Sequence, residues 1–308
     1  MIKVKNITVY HKRDKDKIYL LKDICFSLNK GDSLGIIGTS GSGKSTLAKS
    51  LIEMYDDGIY KESGNVIING HPFASSLRGK TISIMFQNPN SYLNPLMKVG
   101  NQISEMLIYH EKEKKNIAKE RVINFMNKVG ITDAKKVYNY YPYEISGGVQ
   151  QLVCLCICLI CNPEILILDE STSYLDKESK ENIILLIKSL QKELNFTLIV
   201  ISHDFKEIYK MCNKIAIMSD GKMIEFGTKN EIILQASHPC TLNLLITYNN
   251  FLTNNTLEFC SDNNSESDYF NFINLSDTHY VRGKLSSYKN NRLIKKMKED
   301  IYEHLNTK

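Results

Sequence analysis

The clearest candidates for chemistry in this chain are Lys44 and Ser45, set in the run Gly38-Thr39-Ser40-Gly41-Ser42-Gly43-Lys44-Ser45-Thr46. Glycines let backbone N–H groups turn towards an anion with no side chain in the way. A lysine beside a hydroxyl suits a polyphosphate: the ammonium reaches the β- and γ-phosphates, and the hydroxyl is offered to Mg²⁺. Gly38, Ser40, Gly41, Ser42, Gly43, Lys44, Ser45 and Thr46 are thus the candidate residues for holding a nucleoside triphosphate. A second group, Asp169-Glu170, follows the apolar run Ile165-Leu166-Ile167-Leu168. Asp169 suits Mg²⁺, directly or through water, and Glu170 suits general-base work on an attacking water. Alone, either acid reads equally well as the start of a surface loop. A phosphate loop upstream makes the catalytic placement, at the C-terminal edge of a sheet, the expected one.

Both groups need elements to position them. Leu34-Gly35-Ile36-Ile37 reads as a strand entering the glycine loop, and Leu47-Ala48-Lys49-Ser50-Leu51-Ile52 as the helix leaving it. That order adds the positive end of a helix dipole to the anion site. Residues 1–37 read as strands broken by a charged loop at 12–17. Further strands are expected at 64–70, 81–86, 164–168 and 196–201. A hairpin is expected around Ser219-Asp220-Gly221-Lys222. Residues 177–194 have helical periodicity, with Ile183, Leu186, Ile187 and Leu190 on one side. From about 88 to 163 the pattern is helical. Strands alternating with helices predict a largely parallel α/β sheet carrying an inserted helical subdomain.

Composition narrows the class. The chain has 308 residues, 43% apolar and 24% charged, which is ample for a folded core. A net charge of +5, with its basic residues scattered, gives no argument for nucleic acid. No apolar leader is seen at residues 1–5, and the longest apolar run, at 152–161, is too short to span a bilayer. Work at a membrane would require spanning helices from other chains. Cys154, Cys156, Cys158 and Cys161 crowd together among eight cysteines. On one helix Cys154, Cys158 and Cys161 share a face and Cys156 points elsewhere, so they read as small buried apolar residues rather than as metal ligands. Free thiols in that number fit a reducing cytoplasm.

Between the phosphate loop and the Asp-Glu strand lies Tyr143-Glu144-Ile145-Ser146-Gly147-Gly148-Val149-Gln150-Gln151, opening a helix. Here the chain resembles the ATP-binding cassette (ABC) ATPases, whose signature motif has the same Ser-Gly-Gly core. Other landmarks of that family follow in order. Phe86-Gln87-Asn88-Pro89 resembles the Q-loop, Ser173-Tyr174-Leu175-Asp176 the D-loop, and Ile201-Ser202-His203-Asp204 the switch region. The resemblance implies a P-loop NTPase core of the ABC ATPase type with a mixed β-sheet, binding ATP with Mg²⁺. It implies that Gln87 responds to Mg²⁺ and water, that His203 contacts the γ-phosphate, and that an aromatic stacks on adenine. Tyr10 is placed in that last role, with His11 and Tyr19 as alternatives. Ser146, Gly147 and Gly148 would act in trans, on the ATP held by a second ABC ATPase subunit, identical or related.

The segment Leu93-Asn94-Pro95, with Val99-Gly100-Asn101-Gln102-Ile103 after it, is similar to the dipeptide, oligopeptide and nickel importer branch, as is His238-Pro239-Cys240-Thr241. The resemblance covers residues 1–247. It implies an ATPase at the cytoplasmic face of the cell membrane, driving two integral membrane permease subunits fed by an extracytoplasmic substrate-binding protein. Peptides or nickel and other metal chelates would be the cargo. A soluble non-transport ABC ATPase and an exporter ATPase are the alternatives. Three residues depart from the family pattern: Ser171 where Pro is usual, Leu152 where Arg is usual, and Val149 in the signature. The expected organisation is an ABC ATPase domain over 1–235, with the helical subdomain inside it, and a C-terminal extension over 236–308. Residues 251–280 are acidic and Asn/Ser-rich, so the extension is expected to be partly disordered or dependent on a partner. Helical character returns near 293–305.

Overall fold

The computed structural model describes the chain except for residues 15, 87–91, 174, 254–271, 283–291 and 307–308. The described residues divide into two compact units, one of residues 2–28, 32–67 and 201–308, the other of residues 1, 29–31 and 68–200.

The first unit holds the phosphate loop. Strands β1 (Ile2–Arg13) and β2 (Asp16–Leu28) form a long antiparallel ribbon with Tyr10 opposite Tyr19. The charged loop expected at 12–17 is therefore mostly strand. Asp14, in the left-handed region at φ 52°, turns the chain within two or three residues, and Lys12 pairs with Lys17. Ile2, Val4, Ile7 and Val9 face the interior from β1, the two-residue period of a half-buried strand broken once by a bulge. β3 (Ser33–Gly38) is almost wholly buried and leads to α1 (Lys44–Leu51). β4 (Ile59–Ile68) joins the ribbon beside β1. A second, mixed sheet pairs β3 in parallel with β9 (Lys214–Ser219), and β9 antiparallel with β10 (Lys222–Thr228). The β9–β10 hairpin turns on Asp220 and Gly221, both at positive φ, as two-residue turns require. Helix α7 (Phe205–Met211) packs on β3.

The described part of residues 236–308 belongs to this same unit. Helix α8 (Lys229–Leu234) leads into α9 (Pro239–Thr253). Strands β11 (Phe272–Asn274) and β12 (Tyr280–Arg282) then extend the sheet from β10, with Val281 opposite Glu225. Helix α10 (Arg292–Asn306) packs on α8 and α9 through Ile294, Met297 and Ile301. Of the acidic segment, residues 254–271 lie outside the described residues, while His279 and Val281 are fully buried. A hydrogen-bonded contact accompanies the burial of His279. His279 Nε2 lies 2.8 Å from the buried Glu225 carboxylate, which also accepts the Ser237 and His238 N–H groups.

A second carboxylate grips the same turn. Glu231 accepts from the hydroxyls of Ser276, Thr278 and Thr228 and from the Thr228 N–H. Burial pushes its carboxyl up, but these hydrogen bonds overcome that and hold it at about 2, against an ordinary 4.5. A depressed folded pKa contributes stability that is present above pH 4.5 and lost as pH falls towards 2. Amide protection at residues 275–281, taken as the intrinsic exchange rate at each pH over the observed one, is therefore expected to fall across that window. The Glu231→Gln variant is expected to show no such fall, and a fall it shares with the parent would contradict this account.

The second unit opens with the two-residue strand β5 (His71–Pro72). It carries β6 (Ile82–Met85), β7 (Ile165–Asp169) and β8 (Thr197–Ile201) in the order β8, β7, β6. β6 and β7 run parallel, with Met85 opposite Leu168. β7 is buried on both faces, which explains its unbroken apolar run. Helices α2 (Val99–Glu111), α3 (Lys115–Lys128) and α5 (Gly147–Leu159) pack on one another, with the short α4 (Ala134–Val137) between α3 and α5 in sequence. Helix α6 (Lys177–Leu194) buries Ile183, Ile184, Ile187 and Leu190, while Leu186 is only half-buried. The four clustered thiols of α5 and its C-terminal end are all buried, Cys156 included. Burial pushes Cys154 up to about 12 and Cys161 up to about 11, so they stay protonated and pack as apolar groups.

Candidate functional site

The phosphate loop is built as its sequence requires. β3 delivers Gly38, and the chain turns over Gly43 at φ 94° into α1. A Cβ at Gly43 would lie 2.7 Å from the Leu20 carbonyl oxygen, so no other residue fits there. No side-chain hydrogen bond caps the start of α1. Ser40, Gly41 and Ser45 are exposed, and Gly41 has open space where a Cβ would project. Lys44 is 7% exposed, and its ammonium donates to the carbonyls of Gly38 and Thr39, both at 2.9 Å. The cation is thus held inside the loop it closes. Ser42 Oγ is buried with no hydrogen-bond partner. A polar atom left over in a glycine cradle, an uncapped helix start and a buried cation together fit a polyphosphate.

His203 joins this group. It is exposed and lines a cavity of about 800 Å³ with Gly38 and Thr39. Its backbone is fixed from both sides. The Ser202 N–H donates to the Ile36 carbonyl at 3.3 Å, and the Ser202 hydroxyl donates to Glu207 at 2.8 Å while accepting the Asp204 N–H at 3.0 Å. Asp204 then caps α7 through the Lys206 and Glu207 N–H groups. The network of Ser202 and Glu207 is invisible to motif reading, although Asp204 before a helical run carries the ordinary capping signal.

Tyr10, placed against adenine by resemblance, sits in an aromatic group of its own unit. Tyr60 stacks on it with ring centroids 5.7 Å apart, Tyr19 meets it edge-on at 6.3 Å, and the Lys17 ammonium lies 4.4 Å from its ring centroid. Lys17 and Tyr19 both donate to Glu62. Tyr60 is not among the aromatics that the sequence singles out. Its link to Tyr10 depends on β4 lying beside β1, a non-local pairing.

The second unit carries the carboxylates. Asp169, the last residue of β7, is 3% exposed. Glu170 follows at φ 48°, in the left-handed region where a non-glycine residue is uncommon. The strand therefore ends in a sharp turn at the residue proposed as base, a position where backbone strain concentrates in functional sites. Downstream, Asp176 caps α6 by accepting the Glu178 and Ser179 N–H groups. Ser146 caps α5, accepting the Val149 N–H at 3.4 Å. Ser146, Gly147 and Gly148 are exposed, and beyond the local backbone of α5 no described residue lies within 4 Å of where a Cβ on either glycine would project. One contact joins the signature helix to the carboxylate loop: Gln151 Nε2 donates to the Ser171 carbonyl at 2.6 Å, buried. A carbonyl serves there whatever the side chain of residue 171. Gln87 lies outside the described residues.

These features can be set beside known proteins. The family model described as "ABC transporter" matches residues 21–173. The oligopeptide transport ATP-binding protein AmiE of Streptococcus pneumoniae is 37% identical over 240 residues, covering 75% of this chain and 68% of the relative. The chain belongs to the ABC transporter family. OppD of Bacillus subtilis is 35% identical over 254 residues, covering 80% of this chain and 71% of its own. The dimeric ATP-binding cassette MJ0796, bound to ADP and Pi, has a similar structure, with a TM-score of 0.66 and 26% identity over 74% of this chain and 98% of that one. The ABC ATPase reading of the sequence thus holds for the fold and for the activity: this family member binds and hydrolyses ATP. No helix among its described residues is long and apolar enough to cross a membrane.

Proposed function

We propose that this ABC ATPase powers a peptide importer. One observation supports the cargo: the similar proteins AmiE and OppD are oligopeptide transport ATP-binding proteins, matched over three quarters or more of this chain. In our reading, Lys44 and the N–H groups of residues 40–46 bind the phosphates, Tyr10 meets the adenine, and His203 contacts the γ-phosphate. Ser45 and Asp169 hold Mg²⁺, and Gln87 responds to the metal and its water. When bound, Mg²⁺ neutralises charge developing on the transferred phosphoryl group. Glu170 polarises the attacking water. Ser146, with Gly147 and Gly148, presents the start of α5 to the ATP of a second ABC ATPase subunit, and the dimeric form of MJ0796 supports that pairing. Two integral membrane permease subunits and an extracytoplasmic substrate-binding protein complete the assembly, which places this chain on the cytoplasmic face of the membrane.

Purification of the chain from its own cells in mild detergent is expected to recover two permease subunits. Reconstituted with them and the binding protein in vesicles, it is expected to hydrolyse ATP several-fold faster when a labelled oligopeptide is supplied, with the label entering the lumen. Stimulation by a nickel chelate but by no peptide would overturn the cargo assignment. Recovery with ribosomes or DNA, and without permeases, would overturn the transport reading.

A further inference from the structure

The end of β12 reaches the phosphate loop through hydrogen bonds that no motif predicts. Arg282 is 2% exposed. Its guanidinium donates to the Lys22 carbonyl at 3.3 Å, to the Asp23 carbonyl at 3.2 Å and to the Asp23 carboxylate at 2.8 Å. These acceptors form a bend in β2, where Asp23 stands at φ 52°. Such a bend costs free energy and persists only where its surroundings hold it. The next link runs outward from the bend: the Lys22 N–H donates to the Gly221 carbonyl at 2.8 Å. The third closes on the loop itself, where the Gly221 N–H donates to the Ser42 carbonyl at 3.2 Å.

Packing reinforces this relay. A Cβ at Gly221 would lie 2.5 Å from the Leu20 carbonyl oxygen, the same atom that excludes a side chain at Gly43. Leu20 is thus wedged between the β9–β10 turn and the phosphate loop, two residues before the carbonyl that Arg282 holds. A shift of a few tenths of an ångström at Lys22 has no slack to vanish into before Ser42 and Gly43. Three acceptors arranged around one planar donor group also match the fixed fork of arginine better than the point charge of lysine.

We propose that Arg282 is a positioning residue for nucleotide binding: from the C-terminal extension it fixes the β2 bend, and through Gly221 it sets the turn at Ser42 and Gly43 that presents N–H groups to phosphate. The inference rests on the reading of residues 38–46 as the ATP loop. It differs from a role in mere attachment of the extension, because a separate contact, His279 to Glu225, already fastens the same segment to β10 and does not lead to the loop.

The test compares the full chain with its Arg282→Gln, Arg282→Lys and His279→Gln variants, measuring equilibrium binding of a fluorescent ATP analogue with Mg²⁺ and the melting temperature without nucleotide. Arg282→Gln is expected to weaken binding about 5- to 10-fold, the size of effect seen when a residue acts on a ligand only through a chain of intervening contacts. Arg282→Lys is expected to recover part of that loss. His279→Gln is expected to lower the melting temperature and leave affinity within about twofold of the parent. If Arg282→Gln does not fold, Asp23→Asn poses the same question from the exposed side of the pair. A combined Arg282→Gln, Asp23→Asn chain is expected to lose less than the sum of the two, as members of one network do. Parent-like affinity in Arg282→Gln, or an equal loss in His279→Gln, overturns the inference alone. A parent chain that binds no ATP overturns the reading beneath it.

Discussion

Replacing Glu170 by Gln is expected to lower ATP turnover by about 10²- to 10⁴-fold, the usual contribution of a positioned general base. Nucleotide affinity is expected to stay within about twofold of the parent, since in the proposed role the carboxylate acts on water in the transition state and not on the bound phosphates. The substitution is nearly isosteric. It keeps the left-handed backbone at φ 48° no more strained than before, so a loss of rate reports chemistry rather than folding. Steady-state hydrolysis and equilibrium binding, measured on one preparation, separate the two effects. Hydrolysis at the parental rate in a preparation free of contaminating ATPase would remove Glu170 from the role of base.

Lys44→Ala should produce the opposite signature. The ammonium is buried inside the loop on the Gly38 and Thr39 carbonyls, and in the proposed role its charge would meet a phosphate across little water. Charge-assisted hydrogen bonds of this kind contribute about 1.5–3 kcal/mol each. Losing the contacts to two phosphates is therefore expected to weaken ATP binding by about 100-fold or more. Equilibrium binding reads this directly, and far-ultraviolet circular dichroism checks that β3 and α1 survive. Affinity unchanged in a folded Lys44→Ala chain would mean that the loop does not bind phosphate in the way its sequence indicates.

Both of these residues are legible in the sequence itself, for a local reason. The loop signal lies within one strand, one turn and one helix, and the Asp-Glu signal is the abrupt end of a strand buried on both faces. The hairpin at Asp220 and Gly221 is legible on the same grounds, since two-residue turns have their own chemistry. What the sequence hides depends on contacts between distant positions. Arg282 meets a carbonyl 260 positions away, and nothing around it in the chain marks it as special. Tyr60 reaches Tyr10 only because β4 lies beside β1. The positive φ at Glu170 is hidden for a different reason: Glu rarely adopts it, so composition argues against the conformation that the turn imposes. The place of His279 is hidden in the same way as that of Arg282, because the carboxylate it meets, Glu225, stands 54 positions away.

Gly147 and Gly148 open helix α5 with empty space where any side chain would project, and neither needs a backbone conformation reserved for glycine. Helical glycine is less favourable than alanine by about 1 kcal/mol per residue in a helix interior, and somewhat less at a terminus. Solitary folding alone would favour alanine at both sites. Bare backbone there leaves room for the proposed visitor from another molecule, by the breadth of a single methyl group.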